Sequence, residues 1–180
     1  MRHAIRILIA VVATCAVVAS VPAANAASPA AGSLNKKVRS LSWKGGPFNG
    51  PFPTGDAQSL SGGLVQTACP QGKSDTICDH YYLKIDMGPR SLIKLSMTCS
   101  QSGLEVLQAA GSAPNDFDMY LYGPDGNEIG ESVSGGCHES VTFSLTRSFR
   151  NKPYEVRISP YDVLPGATYS AKATTLKYVK

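Results

Sequence analysis

The stretch Asn115–Ser132, NDFDMYLYGPDGNEIGES, decides the fold class. Phe117, Met119 and Leu121 alternate with Asp118, Tyr120 and Tyr122, so every second side chain falls on one face. A period of two marks a strand buried on one side. The run breaks at Tyr122-Gly123-Pro124-Asp125-Gly126-Asn127. Proline fixes φ there and Asp-Gly supplies a positive φ, so the chain reverses tightly. Asn127 to Val133 follows as a polar edge strand.

The same alternation recurs on both sides of this hairpin. Its apolar sets are Tyr81, Leu83, Ile85 and Met87; Ile93, Leu95 and Met97; Val141, Phe143 and Leu145; Tyr154, Val156 and Ile158; and Tyr169, Ala171 and Ala173. Turn signals MGPRS, GSAPND, VSGG, RNKP and VLPGA separate them. Upstream, Val38–Lys44 places Leu41 and Trp43 against Ser40, Ser42 and Lys44 as a first strand. Leu104–Ala109 reads as a strand or a short helical turn. About eight or nine short strands without a convincing helix predict an all-β sandwich. Residues 27–37, ASPAAGSLNKK, read as a disordered lead. Residues 45–63, GGPFNGPFPTGDAQSLSGG, read as a long Gly/Pro loop across the fold, within a domain spanning 38–180.

The first 26 residues stand apart. Arg2 and Arg6 precede an uncharged apolar run, Ile7–Val21, and Ala24-Asn25-Ala26 has the small-x-small pattern of a cleavage site. This is a secretory signal peptide, with cleavage expected after Ala26. It leaves 154 residues with 15 basic and 13 acidic side chains. Such a chain has room for one domain and not for a second catalytic one. No other run is long enough to span a bilayer, so a secreted, extracellular product is expected. The near-neutral charge gives no footing for nucleic acid, and Lys36, Lys37, Arg39 and Lys44 read as a solvated basic lead loosely attracted to an anionic wall.

Cysteine usage fits export. With Cys15 gone, Cys69, Cys78, Cys99 and Cys137 remain, an even set that allows three connectivities. Cys69–Cys78 with Cys99–Cys137 is the favoured pairing, the first closing the polar loop CPQGKSDTIC. Zinc is not expected, because no C-x-x-C spacing occurs and His80 and His138 do not form a ligand pair.

The hairpin segment resembles the bacterial pre-peptidase C-terminal domain family, in the form found in secreted actinobacterial members. The D-x-D-hydrophobic-Tyr-hydrophobic strand and the following PDGN turn match, as does Glu139-Ser140-Val141-Thr142-Phe143. Tyr154-Glu155-Val156-Arg157-Ile158-Ser159-Pro160-Tyr161 is similar to the family's late strand, and Thr168-Tyr169 to its closing one. Cys78-Asp79-His80-Tyr81-Tyr82-Leu83 is similar to its start. The resemblance runs from about Leu41 to Tyr178. It implies a jelly-roll-like antiparallel sandwich serving as an accessory or binding module of extracellular polymer or peptidase systems, and some members bind calcium. No catalytic domain precedes the module here, so a peptidase role is not expected.

Three site readings follow. Asp116, Asp118, Asp125 and Glu139 supply hard oxygens that converge on calcium if the hairpin folds back; otherwise Asp116 and Asp118 cap a turn. Tyr82, Tyr120 and Tyr122 are out of phase with the core face and form a candidate platform for an extracellular polysaccharide, cell wall or protein polymer. The alternative is that Phe48, Phe52 or Trp43, carried with the long loop, covers them. No catalytic residue is expected: no G-x-S-x-G elbow occurs, and His80 and His138 lie at a strand start and in a loop. A small secreted hydrolase or a protease inhibitor acting on a secreted peptidase remains the alternative.

Overall fold

The computed structural model describes residues 27–48, 78–100, 115–163 and 166–180. These form nine strands: β1 Ala31–Asn35, β2 Ser40–Phe48, β3 Asp79–Asp86, β4 Leu92–Cys99, β5 Asp116–Tyr122, β6 Glu128–Ser132, β7 His138–Ser144, β8 Pro153–Asp162 and β9 Ala167–Lys177. They build one sheet in the order β1-β3-β8-β5-β6 and a second in the order β2-β9-β4-β7. Without β1, the two orders are those of a jelly roll, with two Greek keys closed into a sandwich. Every pairing is antiparallel except β1 with β3. Among the described residues no helix is long and apolar enough to cross a membrane.

The alternating residues predicted as core are the core. Leu83, Ile85, Ile93, Leu95, Met119, Leu121, Val156 and Ile158 are fully enclosed between the sheets. Trp43 of β2 stacks flat on Tyr81 of β3. Phe48, Phe117 and Tyr169 meet near one end, and Tyr154 packs on Phe143 and Phe149. The Trp43–Tyr81, Phe48–Phe117, Phe117–Tyr169 and Phe143–Tyr154 contacts run between strands of opposite sheets, so they tie the two layers as well as filling them. The hairpin after β5 is as read: Gly126 has φ +82°, and Gly123 and Asn127 close the turn.

Two segments differ from the sequence reading. The lead at 27–37 is not disordered over its length, since Ala31–Asn35 extends the five-stranded sheet as β1. Its small polar composition hides this. Backbone pairing to β3 holds it, with Leu34 alone buried as an anchor and Gly32 tight against the Tyr81 hydroxyl. The loop expected from residue 45 begins later, because Gly45–Phe48 continues β2 opposite Tyr169 and Ala167 across a bulge. Pro47 is tolerated because β2 is an edge strand and Pro47 lies within the bulge. The remainder of that loop, Leu104–Ala109, Cys69 and the signal segment lie outside the described residues.

Cys99 and Cys137 form a disulfide, with Cα atoms 4.9 Å apart and a sequence separation of 38. It joins the end of β4 to the start of β7. In the chain-entropy account a loop of that size contributes about 4 kcal/mol.

Candidate functional site

The five-stranded sheet turns its second face away from the core. On β3 that face carries His80, Tyr82, Lys84 and Asp86; on β8, Glu155, Arg157 and Ser159; on β5, Asp118, Tyr120 and Tyr122. Register aligns them in rows: Tyr82 beside Glu155 beside Tyr122, and His80 beside Arg157 beside Tyr120. Glu155 sits at the centre. One oxygen meets His80 Nδ1 at 2.7 Å and the other accepts from Arg157 Nη2 at 2.9 Å. Burial opposes its charge, but the hydrogen bonds from Arg157 and His80 outweigh it and hold the carboxyl below its ordinary value. The Arg157 guanidinium lies 4.0 Å over the Tyr122 ring, a cation–π contact.

The three candidate tyrosines separate here. Tyr82 is 39% exposed, whereas Tyr120 and Tyr122 are buried and packed with Cys78. The open three-tyrosine platform is therefore corrected to one exposed ring. The alternation assigned the face rightly, but period alone cannot say whether an outer face meets water. Trp43 and Phe48 do not cover this face, since both are in the inter-sheet core; Phe52 lies outside the described residues. Burial, and then Asp118, raise the Tyr120 phenol well above its usual range.

Of the four carboxylates proposed for calcium, Asp125 stands apart, while Asp116 and Glu139 lie near enough to Asp118 to act on its charge. Asp116 accepts from the Gly136 N–H at 2.8 Å. Asp118 is buried beside the Tyr120 hydroxyl, 3.3 Å away. Burial, reinforced by Asp116 and then Glu139 and Glu131, pushes Asp118 up to about 7. Glu139 is buried and takes hydrogen bonds from Ser132 and Ser134. Asp125 lies beyond the opposite end of β5, in the hairpin turn, bonded to Asn127. Among the described residues no three carboxylate, histidine or cysteine side chains converge as a metal ion requires.

Sequence reasoning missed two features. One is the Glu155–Arg157–His80 chain, whose signal was present: opposite charges two apart on one strand share a face. The other is an open cavity of about 650 Å³ beside β1 and β3. Lys36, Lys37, Lys84, Arg150 and Lys180 line it with Asp86, so it is basic. Arg150 pairs with Asp86 at 3.3 Å, an exposed contact. Lys84 and Asp86 follow Tyr82 at two-residue steps on the outer face of β3, which makes the exposed ring and the cavity neighbours. Only three-dimensional pairing of β1 with β3 brings Lys36 and Lys37 there.

No protein-family model and no curated protein matches this chain. Among solved structures, the pre-peptidase C-terminal domain of collagenase from Bacillus anthracis is similar at 12% identity, over 80% of this chain and 92% of that one, with a TM-score of 0.40. The strand order defines the class on its own: this is a jelly-roll β-sandwich with one additional parallel edge strand.

Proposed function

We propose that the chain is a secreted, non-enzymatic binding module that holds an acidic extracellular polymer, such as an anionic cell-wall polysaccharide, along the outer face of β3. One observation carries this reading: exposed Tyr82 shares that face with Lys84, which opens onto the lysine- and arginine-lined cavity. An aromatic ring offers a flat apolar surface for a sugar or peptide unit, with a polar edge for hydrogen bonding. The cations supply attraction to a repeating anionic group, and salt screens that attraction. Glu155, held by Arg157 and His80, fixes the polar border beside Tyr82 and is kept ionised rather than poised as an acid.

The resemblance to pre-peptidase C-terminal domains supports the accessory role and adds a secreted peptidase as a further partner to test. The assay is sedimentation of the exported chain with purified anionic wall polymer, neutral chitin and cellulose, and collagen. Binding to the anionic polymer should weaken with added salt and fall about tenfold in Tyr82→Ala or Lys84→Glu, the equivalent of about 1.4 kcal/mol. Equal retention by neutral and anionic polymers, unchanged in both variants, contradicts the reading.

A further inference from the structure

Asp79 is the one charged side chain of β3 that faces the core rather than the binding face. It points inward, is 1% exposed, and sits between the sheets. One carboxylate oxygen accepts from the Tyr169 hydroxyl on β9, in the opposite sheet. The other accepts from the main-chain nitrogen of Ala27, itself 4% exposed. Neighbouring atoms leave no slack. A Cβ on Gly45 of β2 would lie 2.2 Å from the Asp79 Oδ2 atom. Nor is Ala27 loosely placed. Ser28 exchanges two backbone hydrogen bonds with Lys44, the Ala30 carbonyl accepts from Tyr82 N–H, and β1 follows at once.

Among the described residues no lysine or arginine pairs with Asp79. The adjacent His80 faces the other side of the sheet and binds Glu155. A buried carboxylate whose hydrogen bonds come from neutral groups such as the Tyr169 hydroxyl and the Ala27 main chain is costly to keep charged. Ala27 is also the residue at which the sequence places the new amino terminus.

We propose that the pocket formed by Asp79, Tyr169 and Gly45 is a binding site for the chain's own mature amino terminus, the α-ammonium of Ala27. The inference rests on cleavage after Ala26 and is independent of the polymer-binding reading. In the step itself, water hydrolyses the Ala26–Ala27 amide. The C–N bond breaks, Ala26 leaves as a carboxylate, and the released amine of Ala27 becomes an ammonium. The nitrogen already placed on Asp79 then carries a positive charge, and an amide hydrogen bond becomes a charge-assisted ion pair. Processing thereby supplies a cation to the core beneath β1, a pair the uncleaved chain cannot make. Burial pushes Asp79 up to about 6 against the hydrogen bonds from Tyr169 and the Ala27 and His80 main chain and, least, the attraction of His80.

Acylation of α-amines at neutral pH tests this, because lysines stay protonated there. In the exported chain the Ala27 amine should react about tenfold or more slowly than in the same chain unfolded in urea, as expected when an ion pair raises its pKa by a unit. A chain that begins one residue earlier, at Ala26, should label freely. Its folded-to-unfolded ratio should fall by about tenfold or more, since a buried carboxylate then lacks its cation. In Asp79→Asn the starting residue should cease to matter. Equal labelling of the Ala27 and Ala26 amines, or equal unfolding midpoints for the two chains, overturns the ion pair. The labelling comparison needs no substitution, so it decides the matter even if Asp79→Asn fails to fold. Intact mass of the exported protein should begin at Ala27; another start overturns the processing step, while loss of polymer binding bears on neither.

Discussion

Replacing Gly45 by alanine should be among the most damaging single-methyl additions in the described fold. Gly45 lies on β2 opposite Tyr169, and the added Cβ would fall 2.1 Å from a ring carbon of Tyr169 and 2.2 Å from a carboxylate oxygen of Asp79. Neither group can retreat easily, because Tyr169 is buried against Phe48 and Phe117 and Asp79 is tied to Ala27. Overpacking of this kind costs about 1–3 kcal/mol. Separating Tyr169 from Asp79 strands a buried polar group, which costs about 1–3 kcal/mol more. The expected loss is therefore about 2–6 kcal/mol, a large part of the roughly 5–15 kcal/mol that holds a domain together. Urea unfolding reads it as a lower midpoint at constant slope. Gly135→Ala is the control: nothing lies within 4 Å of its Cβ, so the change should stay within about 0.5 kcal/mol. If the two variants unfold alike, Gly45 is not packed between the sheets and the loop reading of residue 45 was the right one.

Three further outcomes are expected. Asp118 titrates at about 7 when folded, above its ordinary 3.8, so the folded state binds its proton more tightly than the unfolded state and stability falls as pH rises between those values. Asp118→Asn, which still accepts from Tyr120, should stabilise the protein by about 1–4 kcal/mol at pH 8 and by little at pH 4; the opposite pH trend in thermal melts would refute the assignment. Arg157→Met removes the partner of one Glu155 oxygen and the cation over Tyr122, and should cost about 1–3 kcal/mol by urea unfolding, with Glu155→Gln/Arg157→Met recovering part of it. Millimolar calcium should leave the thermal midpoint in place, because Asp125 is remote from Asp116 and Asp118 and Glu139 is engaged by serines; a rise of several degrees would restore the calcium reading.

Strand periodicity carried the fold because each inward set, such as Leu83 and Ile85 or Val156 and Ile158, is both apolar and regularly spaced. The jelly-roll order followed from the family resemblance, and the sheet connections agree with it. What periodicity cannot encode is pairing that depends on backbone alone. Strand β1 has one buried apolar anchor, Leu34, and joins β3 through main-chain hydrogen bonds, so its composition looked like a tail. Gly45 and Pro47 look like loop residues, yet an edge strand with a bulge accommodates both. The site was legible by halves. The phase set Tyr82, Tyr120 and Tyr122 on the outer face but left their exposure open, and Tyr120 and Tyr122, buried where Tyr82 is exposed, show that an outward phase is not the same as contact with water. The basic cavity draws Lys36 and Lys37 from before β2, Lys84 from β3 and Lys180 from the end of the chain. Nothing in their spacing announces that they meet.

The binding face is tested most directly by amide and side-chain NMR of the exported chain titrated with a soluble anionic wall oligosaccharide. The account predicts saturable shifts at Tyr82, Lys84, Asp86 and Arg150, fading with salt and lost in Lys84→Glu. Shifts confined to the edge strand β6 or to the hairpin at Asp125, or none at concentrations where the polymer is retained, would contradict it.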